Sequence, residues 1–480
     1  MSCYRRSDRR DFLKTAAAGV AGLTVARVDN AFAASAGWTD KMPINPDIDN
    51  MRVVCCNDAK MLKKTMSITS FAAENDCVDS ARVAANMDDM ARMLAAKPNQ
   101  PLPTADAAWR TIFRSGKAWQ DTKVAIKVNC VKDTNMVRVA ILQKLCAVLN
   151  GFGAQPGNII IYDGCHSAAG TTKYSPYFST TDSTKIPGVV GNFNDALKVG
   201  ADALLPVTLP GLPSGLSVKA TAQLASGAVD ILINCAPNKG HDRPANGNFT
   251  LCMKNHFGTI FSSNSNYTNP SGLHDNTQIL LNSVKLDAII GGNPVRQQLC
   301  IIDSLVGSTA HDPAALPDVV VNRLIMGTFA PAVDYLCVKN VREPVMKATH
   351  AAAFVDSFLS AFGYANADPQ WVEFAGGTVG VQGEPRQTDD ALQPVEIVLA
   401  SGSFKQTSVH FSVPKEERSL HVGIFDMQGR SVREFDISAS ARIFFWDGRA
   451  MNGQTVSSGS YIIRIRSKVF EKTERILAYK

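Results

Sequence analysis

The chain has 480 residues, 45% of them apolar and 19% charged, with a formal net charge of +6. That length exceeds one ordinary core and calls for two or three domains, and the apolar share excludes bulk disorder. Six Lys/Arg and three Asp fall in the first 33 residues, half of the net charge (6 − 3 = 3); no basic run interleaves with aromatics, so nucleic acid is not an expected partner.

The N-terminus reads SDRRDFLKTAAAGVAGLTVARVDNAFAASAGW. Arg9 and Arg10 precede Phe12, Leu13 and Lys14, and a weakly apolar Gly/Ala-rich run follows. Ala31-Phe32-Ala33 and Ala34-Ser35-Ala36 offer small-residue cleavage sites. The run falls well short of the roughly 20 residues that span a bilayer. Residues 1–36 resemble a bacterial twin-arginine (Tat) signal peptide. The resemblance implies passage through the Tat translocase to the periplasm, the cell surface or the medium. That route carries folded proteins, many already loaded with a cofactor, so a metal ion or redox cofactor is an expectation. Ten cysteines would follow the cleavage site. None stands in a C-x-x-C spacing, so no ferredoxin-type iron–sulfur motif is present. Most read as buried thiols, with a disulfide at Cys55, Cys56 or Cys77 as the alternative in an oxidising compartment.

From residue 37 to 376 apolar runs alternate with amphipathic stretches. Four runs have strand character: VAIKVN ending at Asn129, IIIYD at Asp163, VDILIN at Asn234 and LCIID at Asp303. Continuous β-branched runs fit strands buried on both faces, as in a parallel sheet. Between the first two, NMVRVAILQKLCAVLNGFG carries helical spacing and reads as ending at Gly151. This order predicts an α/β fold: a mostly parallel sheet flanked by helices. Each run ends in Asn or Asp. Ligands of open α/β sheets bind outside the carboxyl ends of the strands, so these residues are expected to meet along one edge; their ordinary use in turns and caps is the alternative. Lys127 lies two residues before Asn129 and shares its face. A lysine inside an apolar strand needs a partner or a polar cleft. Asp163 and His166, in DGCH, could ligate a metal.

The stretch INCAPNKGHDRPANGNFTLCMKNHFGTIF gathers Asn234, Lys239, His241, Lys254, Asn255 and His256. It resembles the signature of domain-of-unknown-function family 362: an apolar strand running into Asn, then Lys and His, then Lys-Asn-x-x-Gly ending at Gly258. VAIKVN and NIIIYDG are similar to that family's first core strands, and LCIIDSLVG and FAPAVDYLCVKNV, with Asp303 and Asp334, to its closing segments. The resemblance spans roughly residues 51–346 and implies the fold and a site, not a reaction. Asp334 joins Asp163 and His166 as the expected metal set.

Residues 377–393 are rich in Gly and polar residues and read as a linker. Residues 394–480 hold no cysteine and show short alternating strands between turn signals. LHVGIFDMQGRSVREFD and FFWDGRAMNGQTVSSGSYIIRIRS resemble the flagellar-hook-cap (FlgD-like) type of immunoglobulin-like domain. The expectation is a small β-sandwich with Val422, Ile424, Phe425, Tyr461, Ile463 and Ile465 in its core. Such domains end many secreted bacterial proteins, which implies a surface-sorting or secretion partner or a plain spacer.

Two functions are open at this stage. One is an enzyme acting on a small anionic substrate, with Lys127, Lys239, His241, Lys254 and Asp303 as catalytic groups and Asn129, Asn234 and Asn255 binding substrate. The other is a non-catalytic anion- or metal-binding envelope protein.

Overall fold

All four apolar runs are strands of one sheet in the computed structural model. It describes residues 44–97, 103–131, 135–163, 172–191, 204–207, 218–262 and 277–376, and, in the C-terminal part, 397–401, 407–411, 419–426, 428–438, 443–446, 448–457, 459–466 and 471–478. The expected leader (1–36), the linker (377–393) and His166 lie outside these residues.

The strands are β1 (Arg52–Asn57), β2 (Val124–Lys127), β3 (Ile159–Tyr162), β4 (Val189–Gly191), β5 (Ile231–Gly240), β6 (Gln297–Gly307), β7 (Val319–Gly327) and β8 (Gln370–Ala375). Their order across the sheet is β8-β1-β7-β6-β5-β2-β3-β4. Neighbours from β4 to β6 pair in parallel. β7 runs antiparallel to both β6 and β1, and β8 is parallel to β1. The fold is therefore a mixed, mostly parallel α/β sheet.

Helices cover both faces. On one lie α1 (Phe71–Asp76), α2 (Ser80–Ala95) and α3 (Val139–Phe152). Met87, Met90, Leu94, Leu142 and Leu145 pack there against Val124, Ile126, Ile233 and Ile301. On the other lie α4 (Cys252–Asn255) and α5 (Ala330–Cys337), and Leu251, Met253, Val333 and Leu336 pack with Ala125, Leu232 and Ile302. Strands buried on both sides need the near-continuous apolar runs seen in the sequence. α3 ends at Gly153, not Gly151. Gly153 has φ 107°, in the left-handed region, and its N–H reaches the Asn150 and Leu149 carbonyls. β5 continues six residues past Asn234 because β6 flanks it and Phe249–Thr250 pairs with Gly240 and Lys239. The nine described cysteines are free buried thiols, so Cys55, Cys56 and Cys77 form no disulfide.

In the C-terminal part seven described strands form two antiparallel sheets. One holds β9 (Ile397–Ser401), β10 (Thr407–Phe411) and β13 (Ile443–Trp446). The other holds β11 (Ser419–Asp426), β12 (Ser431–Ser438), β14 (Gly459–Arg466) and β15 (Glu471–Ala478). The core comprises Leu420, Val422, Ile424, Ile437, Trp446, Tyr461, Ile463 and Ile465. Phe425 is not part of it. Strand alternation turns it to the opposite face from Ile424, where Arg464 lies 5.0 Å from its ring. Gly429 and Gly453 take φ of 79° and 78°, which turns of this kind require.

Candidate functional site

The strand order contains a reversal. From β2 the chain steps outward to β3 and β4, then returns to place β5 on the other side of β2. In open α/β sheets ligands bind at such a switch point, where the onward connections of the two strands leave in opposite directions. Lys127 of β2 and Asn234 of β5 stand opposite each other there in register.

Lys127 is fully buried. Its Nζ donates to Asp163 Oδ1 at 2.8 Å, the Val128 carbonyl at 2.6 Å and Asn255 Oδ1 at 3.3 Å. The second carboxylate oxygen of Asp163 accepts the Cys130 N–H at 2.6 Å. Asn129 Nδ2 donates to Asn255 Oδ1 at 3.2 Å, and Asn129 Oδ1 accepts from Lys239 Nζ at 2.8 Å. Lys239 also reaches the Pro313 carbonyl at 3.3 Å. Asn255 Nδ2 donates to Asn234 Oδ1 at 2.8 Å and the Cys235 carbonyl at 3.1 Å. Asn234 Nδ2 in turn reaches the Cys252 carbonyl and Gln297 Oε1 at 2.8 and 3.1 Å. The structure thus brings Lys127, Asn129, Asp163, Asn234, Lys239 and Asn255 into one hydrogen-bonded network, all buried.

The network continues to residues whose roles the sequence did not disclose. His256 Nε2 lies 2.6 Å from Gln297 Oε1, and its Nδ1 lies 3.2 Å from Thr259 Oγ1, which meets the Tyr162 hydroxyl at 3.0 Å. His256 Nε2 also lies 3.0 Å from Asn234 Nδ2. Burial drives the His256 pKa down to about 3, against the pull of the Gln297 bond, and nearby Lys127 lowers it further. The ring is therefore neutral.

Gly258 closes the Lys-Asn-x-x-Gly segment for a steric reason. A Cβ there would lie 2.4 Å from Asp163 Oδ1 and 2.8 Å from Lys127 Nζ. The turn after α4 can press onto the ion pair only without a side chain. Lys254 on α4 is 4% exposed, and His241 is 8% exposed with Nδ1 2.9 Å from Asp242 Oδ1. All three, Asn129 included at 4%, are buried.

Two aspartates stand elsewhere. Asp303 faces α1 and α3. Its Oδ2 accepts the Arg138 N–H at 2.7 Å, and the Arg138 guanidinium lies 3.6 Å from it and 3.4 Å from Glu74. All three side chains are fully buried. The cause is alternation: Asp303 shares a face with Leu299 and Ile301, opposite that of Cys300 and Ile302. Asp334 on α5 accepts the N–H groups of Cys252 and Met253 at 2.9 and 2.8 Å. It holds the first turn of α4 and so positions Lys254 and Asn255.

The expected metal set is not assembled. Asp163 is bonded to Lys127 and Cys130 N–H, and Asp334 to α4. Among the described residues no group of three or more His, Cys, Asp or Glu is placed to hold a metal ion.

A reversing α/β sheet with a Lys/Asn network at its switch point defines the class of the larger unit. The family described as Domain of unknown function (DUF362) matches residues 124–339, and the FlgD Ig-like domain matches residues 397–468. The chain thus carries a DUF362 domain followed by a FlgD Ig-like domain. No curated protein matches. Among solved structures, PorZ of Porphyromonas gingivalis, a surface component of the type-IX secretion system, is 22% identical over 15% of this chain and 9% of its own, with a TM-score of 0.13. Dimeric latent PorU of the same organism is 16% identical over 19% and 10%, with a TM-score of 0.16. Chitinase ChiW of Paenibacillus sp. is 15% identical over 22% and 11%, with a TM-score of 0.15. The matches span only about a tenth of the length of these three chains.

Proposed function

We propose that this is an exported protein whose DUF362 domain holds a small anion at the carboxyl edge between β2 and β5. The observation that carries the reading is the network at the switch point. Lys127 is matched there by Asp163. Lys239 Nζ donates to the Asn129 amide oxygen and the Pro313 carbonyl, which fix the ammonium in place. A compact ammonium in a fixed place suits a carboxylate or phosphate. Asn129 supplies an oriented amide beside it, and Asn255, whose Nδ2 goes to Asn234 Oδ1 and the Cys235 carbonyl, accepts from Asn129 Nδ2 and holds it in place. His256, held neutral, adds no charge. A catalytic role is the second reading, favoured by His241, whose Nδ1 lies 2.9 Å from Asp242 Oδ1. Export rests on Arg9 and Arg10 and the small-residue cleavage sites, with the FlgD Ig-like domain as a terminal sorting or spacing module.

Calorimetric titration with inorganic phosphate tests the binding reading. Lys239→Met keeps the aliphatic stem and removes the charge, and should weaken phosphate about tenfold or more, since a charge-assisted bond contributes about 1.5–3 kcal/mol. An affinity equal to wild type in a folded Lys239→Met protein refutes it. Fractionation of a variant with Lys at positions 9 and 10 tests export: folded precursor should remain in the cytoplasm, and normal export would remove the Tat assignment.

A further inference from the structure

Two arginines are fully buried in the α/β domain, and they are held differently. Arg138 lies between Glu74 and Asp303. Arg342, shortly after α5, has no Asp or Glu oxygen within ion-pair distance among the described residues, and its contacts are with neutral acceptors. Nη1 donates to Asn238 Oδ1, Nη2 to the Ser308 carbonyl at 3.3 Å, and Nε to His350 Nε2 at 3.4 Å. His350 is neutral: burial, then the Arg342 charge, push its pKa down to about 3. Asp318 favours the cation from a distance, but its oxygens are taken by the Thr309 N–H, at 2.9 Å, and the Thr309 hydroxyl.

Arg342 sits behind the strand ends that carry the anion site. Asn238 immediately precedes Lys239. Ser308 Oγ accepts the Gly240 N–H at 3.0 Å, just after Lys239. Gly240 lies so close to the next loop that a Cβ would be 1.8 Å from the Ala310 carbonyl oxygen. The guanidinium is thus joined to both β5 and the segment leaving β6. A buried cation with only neutral acceptors is costly to the fold, because amide and carbonyl dipoles replace water incompletely. Its field is also weakly screened at short range. Both effects change sign of consequence when an anion arrives nearby.

We propose that Arg342 is an electrostatic positioning residue of the anion site: from behind β5 its charge adds to that of Lys239, and a bound anion relieves the cost of burying it. The proposal rests on the anion-binding reading above.

The test uses the full chain, Arg342→Met and Arg342→Lys, thermal unfolding without ligand, and calorimetric titration with inorganic phosphate. Arg342→Met should unfold without phosphate at or above the wild-type midpoint, yet bind phosphate about tenfold or more weakly. Arg342→Lys keeps the charge and should retain affinity within about threefold of wild type. A purely structural arginine gives the opposite pattern, a lowered midpoint with phosphate affinity unchanged, and that result overturns the proposal. If Arg342→Met does not fold, the arginine was structural and the proposal falls. Arg342→Lys that folds but binds as weakly as Arg342→Met also overturns it, since charge would then not be the operative property. If phosphate binding responds to Lys239→Met but not to Arg342→Met, only the role of Arg342 fails. If wild type takes up no phosphate, the anion-binding reading fails and this inference with it.

Discussion

Gly258→Ala puts a methyl group where the Lys127–Asp163 pair lies. The new carbon would stand 2.4 Å from Asp163 Oδ1 and 2.8 Å from Lys127 Nζ. Comfortable separation for such atoms is about 3.5 Å, so one party must retreat by about an ångström. If the turn after α4 backs away, the cost is that of overpacking, about 1–3 kcal/mol. If instead the carboxylate moves, the 2.8 Å bond opens. A buried ion pair that loses its contact costs about 3–5 kcal/mol, because neither charge can reach water. Urea unfolding followed by tryptophan fluorescence should therefore show a loss of about 1–5 kcal/mol. Gly151→Ala is the matched control. It lies within α3, and a Cβ there meets nothing within 4 Å, so alanine should gain about 0.5–1 kcal/mol from helix propensity. A Gly258→Ala protein within about 0.5 kcal/mol of wild type refutes the reasoning, because the segment could then not be pressed onto the ion pair.

Asp334 gives a pH signature. Burial raises its pKa from 3.8 to about 7, more than the Met253 and Cys252 N–H bonds lower it. The fold therefore binds this proton more tightly than the unfolded chain does. The stabilising share is complete below about pH 4 and is lost as pH rises toward 7. The thermal midpoint of wild type minus that of Asp334→Asn should fall between pH 4 and pH 8; parallel profiles would contradict the assignment. Asp303→Asn weakens the hold on Arg138 and should cost about 1–3 kcal/mol of stability while leaving phosphate affinity unchanged. Loss of phosphate binding in a stable Asp303→Asn protein would return Asp303 to the site.

The sheet was legible because β-branched runs long enough to be buried on both faces have few other uses. The Lys/Asn cluster was legible from its place at strand ends. What escaped depends on register. Lys127 pairs with Asn234, and Asn234 with Cys300. That pairing puts Cys300 and Ile302 on the Lys127 face and Asp303 on the other, and a one-residue slip would reverse the assignment. The Glu74–Arg138 contact bridges 64 residues of sequence, and no local pattern announces it. The spacing of Lys254, Asn255 and Gly258 was visible, but its reason, an ion pair from two other strands beneath Gly258, was not. From sequence Gly151 reads as the helix stop; only the backbone shows that Gly153, two residues on, takes the left-handed conformation. β5 ran past its apolar stretch because its neighbours on both sides outweigh the weak strand propensity of CAPNKG.

The central claim is that an anion binds between the carboxyl ends of β2 and β5. A crystal of the protein soaked in selenate, a tetrahedral anion with an anomalous signal, tests it most directly. The account predicts an anomalous peak in contact with Lys239 Nζ, beside Asn129 and Asn255. Well-occupied selenate elsewhere on the protein, with none at Lys239, would contradict it.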